Sequence, residues 1–395
     1  GAVSMRALIT EDIAYGCIEA NHPCGSPVGP ERWSNQNINE LTDLNNYDPI
    51  SGFPVYKCLL CEVEKAEEET ERLTVDSGED LGEELRLSEP ETAAREIYLD
   101  HNATTPLLPE VRTAIREFLE DYGNPSSIHQ AGARAKTRVE EARRKIAATI
   151  NCSARRVIFT GSGSEANNLA LKGVAFRNLH QACHFITTGM EHPSVLNAFH
   201  WLENKGFAVT YLQPDSQGMI DPDSLERAIT PHTVLASVML ANNETGVIQP
   251  IQELSRIASR HGVLMHCDAV QGLGKMDMDM SSLGVDMLTL SAHKIYGPKG
   301  VGALCVRKGV QLEELISGGG QEWNMRSGTE NLLGILGFGK AVEHVEAMLS
   351  AMPRVRELRD KLAEGLLSLS ENGFLNGHPE HRLPNTLNIT LPEFR

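Results

Sequence analysis

No run of apolar residues in this chain approaches the roughly 20 needed to cross a bilayer, which excludes a helical membrane span. Cysteine is scarce. Eight in 395 residues are too few to staple a fold by disulfides. Positive charge is also in deficit: the formal net charge is −17 at pH 7, which argues against nucleic acid or a membrane surface as a partner. No secretory signal pattern and no internal repeat is found. What remains is a chain of ordinary hydrophobic content, 41%, long enough for two or three domains and expected in the cytoplasm.

Charge and cysteine are both unevenly placed. Residues 62–96 hold 14 Asp or Glu against 4 Lys or Arg, a balance of −10, leaving the rest only mildly acidic. Such a Glu-rich stretch reads as a solvated linker. Before it, residues 1–61 form a Pro-, Gly- and Asn-rich extension with no lasting helical period. Cys17, Cys24, Cys58 and Cys61 lie there, Cys58 and Cys61 as a Cys-x-x-Cys pair. Four thiolates can hold zinc or iron, although only one half has the usual chelating spacing. A sulfur-handling pair at Cys58 and Cys61, or incidental thiols, fit the same residues. Cys152, Cys183, Cys267 and Cys305 fall in or beside apolar segments and read as small buried hydrophobes.

From Ile97 the pattern becomes regular. A short strand, Ile97–Leu99, precedes a polar turn and helices over 109–122 and 132–148. Apolar runs then mark seven strands: 157–160, 184–188, 208–212, 234–239, 263–267, 286–290 and 302–306. Helices near 165–176, 194–205, 223–229, 251–261 and 280–283 alternate with them. This rhythm, strand then helix, implies an α/β fold: a mostly parallel seven-stranded sheet with helices on both faces. Helices over 331–349 and 353–371 and a last strand at 385–391 suggest a smaller α+β unit. The expected divisions are therefore 1–61, 62–96, a large domain at 97–330 and a small one at 331–395.

Several strand ends carry polar residues, and in open α/β sheets ligands bind at those ends. Lys294, in Ser291-Ala292-His293-Lys294, follows the strand ending at Leu290. A lone lysine is usually a solvated surface group. Here its neighbours favour an amine that forms a Schiff base with a carbonyl cofactor such as pyridoxal 5′-phosphate. A Gly/Ser turn opening a helix, Thr160-Gly161-Ser162-Gly163-Ser164, offers backbone amides to a phosphate. Asp268 ends another strand and can hold a proton on a pyridine nitrogen, though strand-end carboxylates also serve as caps. His192 can stack on the ring and carry protons, and Asn243 or Gln271 can donate to its phenolic oxygen.

The strings Leu99-Asp100-His101-Asn102-Ala103-Thr104-Thr105-Pro106, Glu191-His192, Asn242-Asn243-Glu244-Thr245-Gly246, Asp268-Ala269-Val270-Gln271, Ser291 to Gly300 and Met325-Arg326-Ser327-Gly328-Thr329 occur in that order. With them residues 97–395 resemble the NifS-like cysteine desulfurases and selenocysteine lyases, of the class V aminotransferase type. The resemblance implies fold type I and a homodimer. It implies Lys294 as the Schiff-base lysine and α-proton base, Asp268 on the pyridine nitrogen, and His192 on the ring face. Gly163, Ser164, Ser291 and His293 would hold the phosphate, joined by Thr329 from a second copy. Asn243 and Gln271 would contact ring or substrate. The implied reaction takes sulfur from L-cysteine, or selenium from selenocysteine, and leaves alanine. The sulfur would pass to an acceptor or a cluster-scaffold protein for iron–sulfur assembly. The family's sulfur-accepting cysteine lies on a loop beyond the strand matching 387–391, and the sequence ends at Arg395, before it. The alternatives are a selenocysteine lyase or a catalytically incomplete, cofactor-binding scaffold subunit.

Overall fold

The computed structural model describes residues 97–120 and 122–394, with the backbone of Ile9–Thr10 and Glu62–Val63, which pair antiparallel. Cys17, Cys24, Cys58, Cys61 and nearly all of the acidic stretch lie outside the described residues.

Two helices come first, α1 (Pro109–Phe118) and α2 (Gln130–Thr149). Then β1 (Val157–Thr160), α3 (Gly163–Arg177), β2 (His184–Thr188), α4 (Pro193–Glu203), β3 (Ala208–Leu212), α5 (Pro222–Ala228) and β4 (Thr233–Ser237) follow. The alternation continues with α6 (Ile251–Arg260), β5 (Leu264–Asp268), α7 (Met280–Leu283), β6 (Met287–Ser291) and β7 (Gly302–Val306). Local chemistry sets several starts. The Asp221 side chain accepts from the Asp223 backbone N–H at 3.1 Å, with Pro222 in the first turn of α5.

The seven strands form one sheet in the order β1-β7-β6-β5-β4-β2-β3. Only β7 runs antiparallel to its neighbours. The strands are apolar on both sides because helices cover both sides. Ile158, Phe185, Leu235, Met287, Leu304 and Val306 pack with α3 and α4, while Phe159, Ile186, Ala236, Met265, Leu288 and Cys305 pack with α2 and α6 on the other face. The period of two in strand side chains makes this division. Cys183, Cys267 and Cys305 are buried in these layers, as their apolar settings suggested, whereas Cys152, in the turn after α2, is only half-buried at the edge of the core.

Residues 332–394 add α8 (Leu332–Val342), α9 (Val345–Leu367) and a two-stranded ribbon, β8 (Phe374–Leu375) with β9 (Ile389–Thr390). The apolar α8 packs on α1 and α2 beside the sheet. Three local expectations need correction. Ile97–Leu99 is no strand; it is an exposed arm with no strand beside it among the described residues, and the Tyr98 hydroxyl donates to the carbonyls of Asp100 and Thr104. The helical break lies at 343–344, not at 350–352, and α9 runs through Pro353. That proline removes one backbone donor on a solvent-facing side, so little is left unsatisfied there. The last strand shrinks to Ile389–Thr390 because the ribbon partner has only two residues.

A buried ion pair ties α2 to the 320–325 turn. Arg143 donates to both Glu322 carboxylate oxygens, at 2.6 and 2.7 Å, and to the Val157 carbonyl at 2.6 Å. Both side chains are 3% exposed, and the guanidinium stacks between the rings of Phe159 and Trp323. Truncating one partner strands a charge. Arg143→Met is expected to destabilise the protein by about 3–5 kcal/mol, read as a fall in the thermal or urea midpoint. An unchanged midpoint would show that Glu322 finds another partner.

Candidate active site

A cavity of about 380 Å³ opens at the carboxyl ends of the parallel strands, lined by residues from β1, β2, β4, β5 and β6 and their following turns. The chain after β1 makes its anion-facing wall. Ser162 caps α3 by accepting from the Glu165 N–H at 3.1 Å, leaving Gly163 and Ser164 at the helix start beside the cavity. A Cβ on Gly163 would lie 3.0 Å from Val270 Cγ2 and 3.4 Å from Ser291 Cβ, so only glycine lets this turn sit so close. Ser291 Oγ is buried there with no hydrogen-bond partner among the described residues. His293 adds an imidazole whose pKa falls to about 4, through burial first and then the charges of Lys294 and Lys299. Nδ1 of this ring lies 3.1 Å from the Thr104 hydroxyl.

The floor is Asp268, 6% exposed at the end of β5. Its Oδ2 accepts from the Asn167 amide at 2.7 Å, and its Oδ1 from the Val270 N–H at 3.0 Å. Asn167 comes from α3 and also donates to Ser194 Oγ at 2.9 Å. Beneath lies Glu191, whose carboxyl is pushed up to about 8 by burial, with the Asp268 charge adding to the rise. The hydrogen bonds it accepts from the Thr188 hydroxyl and the Met239 N–H pull the other way, but burial outweighs them and the acid stays largely neutral near its acidic neighbour. His266 on β5 is fully buried between Ser237 and Thr289 hydroxyls, and burial lowers its pKa to about 3, which keeps the ring neutral.

Two further walls come from turns. His192, after β2, caps α4: its Nδ1 accepts from the Ser194 N–H at 3.1 Å. Lys294 sits in the short turn Ala292–Lys294 after β6. Its ammonium donates to the carbonyls of Asn102 and Ala103 in the arm, the latter at 2.8 Å. Gln271 donates to the same Asn102 carbonyl at 2.9 Å, and the Asn243 amide donates to Glu244 Oε1 at 2.5 Å.

Nine of the ten expected cofactor residues thus line one cavity: Gly163, Ser164, His192, Asn243, Asp268, Gln271, Ser291, His293 and Lys294. Thr329 does not; it is exposed elsewhere on its own chain. Gln271 and Asn243, expected as free donors, are both engaged within the protein. The sequence reading missed Asn167 and Asn102. Asn167 lies in the Glu165-Ala166-Asn167 helix start, but nothing in one chain's pattern shows that it reaches across to Asp268. Among the described residues no group of three His, Cys, Asp or Glu side chains converges as for a metal ion. No described helix is long and apolar enough to cross a membrane.

The residues fit a flat, phosphorylated aldehyde cofactor. The unpartnered Ser291 hydroxyl and the α3 amides await an anion, a carboxylate lies deep in the floor, and an amine stands at the wall. Fold and site together define a pyridoxal-phosphate-dependent enzyme of fold type I.

Residues 97–395 match the aminotransferase class-V family profile. The cysteine desulfurase IscS of Dictyoglomus turgidum is 49% identical over 299 residues, 75% of this chain and 76% of that protein. That of Methanosarcina thermophila is 45% identical over 302 residues, 76% of this chain and 74% of its own. Among solved structures, a NifS-like protein has a TM-score of 0.74 at 40% identity, covering 76% of this chain and 83% of that one. SspA in complex with cysteine has a TM-score of 0.68 at 38% identity, covering 74% and 83%. The chain belongs to the aminotransferase class-V family.

Proposed function

We propose that this protein is a cysteine desulfurase that takes sulfur from L-cysteine and leaves L-alanine, using pyridoxal 5′-phosphate. The observation that carries the reading is the convergence of Lys294, Asp268, His192 and the phosphate cradle on one cavity, in a chain 45–49% identical to proteins named cysteine desulfurase. When bound, the cofactor supplies an aldehyde for amines and a ring that withdraws the electrons left at a substrate carbon.

The chain's own groups do the rest. Gly163, Ser164, Ser291 and His293 hold the phosphate, and the α3 amides favour its charge. Asp268 would keep a proton on the ring nitrogen; its buried position and the two hydrogen bonds it accepts fix the carboxylate there. His192, at the cavity wall, would stack on the ring face. Lys294 takes the proton from the substrate α-carbon, and the Asn102 and Ala103 carbonyls aim its amine.

The same reading includes a homodimer in which a second copy contributes Thr329, a cytoplasmic setting, and a sulfur-acceptor or cluster-scaffold protein as partner. Zinc or iron at Cys17, Cys24, Cys58 and Cys61 belongs to it on the sequence alone, and metal content of the intact protein tests that part. The test of the function is turnover of L-cysteine by the purified, cofactor-loaded chain with a thiol reductant as sulfur acceptor. Alanine and sulfide in equal amounts are expected. A loaded protein that forms no alanine would instead be a scaffold subunit, and preference for selenocysteine would make it a lyase.

A further inference from the structure

Lys275 is a buried amine that this mechanism does not use. It lies in the loop after β5, one turn beyond Gln271, and is 8% exposed. Among the described residues no carboxylate pairs with it. Its Nζ donates to Gln271 Oε1 at 2.5 Å and to Asn102 Oδ1 at 3.3 Å. The Asn102 residue is a junction. Its carbonyl accepts from Lys294 and Gln271, and its amide donates to the Asn243 carbonyl and the Thr386 hydroxyl. Lys275 therefore stands one residue behind Lys294, touching the two groups that frame it.

A lysine buried without a counter-charge is costly in its charged form, and hydrocarbon of the same length would fill the space more cheaply. We propose that Lys275 is a positioning residue of the active site: it braces Asn102 and Gln271 against Lys294, and its charge sets the proton affinity of the Lys294 nitrogen. The inference rests on the cofactor reading above.

Among the described residues the charged and titratable groups facing Lys275 are few. Lys294 comes from the turn after β6, and His101 from the arm, with Asp100 beside it. Gln271 is the polar neighbour on its own loop, and the Gly274 backbone next to it packs on Ile295 and Met348, both apolar. Burial and the charge of Lys294 hold the Lys275 amine down to about 7, far below an ordinary lysine. The repulsion is mutual, so a proton on Lys275 disfavours one on the Lys294 nitrogen. As pH rises through neutrality Lys275 loses its proton and that penalty lifts.

The bound cofactor's visible absorption reports the proton on the nitrogen that joins it to Lys294, so a pH titration of that band reads the effect without turnover. Lys275→Met removes the charge and Lys275→Arg makes it permanent. The midpoint is expected to be higher in Lys275→Met than in Lys275→Arg by about one pH unit, tenfold in proton affinity, with the parent protein between them. Repeating the titration in a His101→Gln background removes the other titratable neighbour. Coincident midpoints in the two variants overturn the inference. If either variant fails to hold the cofactor, the parent curve decides. Two repelling amines spread the transition beyond the width of a single proton, and a single-proton width counts against Lys275. Absence of the band from the parent protein would instead refute the cofactor reading.

Discussion

Lys294→Ala is expected to lose the visible absorption of the bound cofactor and to turn over L-cysteine at least about a thousandfold more slowly, since one change removes both the anchoring amine and the base. Among the described residues no other lysine lines the cavity. Lys275 is the neighbouring amine, but it does not line the cavity and its Nζ is turned to Gln271 and Asn102. The fold should survive, because Lys294 is only half-buried and its two acceptors are carbonyls of a surface arm. The check is the absorption spectrum beside single-turnover alanine release. A variant that keeps the band would mean that another amine anchors the cofactor.

Asp268→Asn is expected to keep the cofactor in place but lower turnover by about 10²–10³-fold, the usual size for removing one preorganised electrostatic partner. An amide has the same shape, and its single oxygen can still accept from Asn167 or from the Val270 N–H, though not from both through separate oxygens. What it cannot do is hold a proton on the ring nitrogen by charge. Substrate binding should change little and the maximal rate should fall, which is the pattern of an interaction felt in the transition state. A rate within threefold of the parent would remove Asp268 from the role given to it.

Much of this was legible along the chain because it is local. Each of the seven strands is a short apolar run ended by a turn, and all seven were placed to within a residue or two at both ends. Lys294, Asp268 and His192 were legible because each ends such a run, and strand ends are where an open sheet binds. The misplaced pieces are those whose structure depends on neighbours. Ile97–Leu99 has β-forming residues but no strand to pair with among the described residues, and α9 carries Pro353 through because that side faces water.

The sequence by itself determined the alternation of strand and helix, the apolar faces that close on both sides of the sheet, and the chemical type of each group at its carboxyl ends. Hydrophobic periodicity and turn chemistry act between residues a few positions apart, and a single chain displays them. Tertiary structure alone decided that Asn167 steadies Asp268 across 101 positions, that Arg143 meets Glu322 across 179, and that Lys275 lies behind Lys294. Those pairings depend on how strands are ordered and how loops pack over them, and burial converts such proximity into shifted proton affinities that no local pattern records.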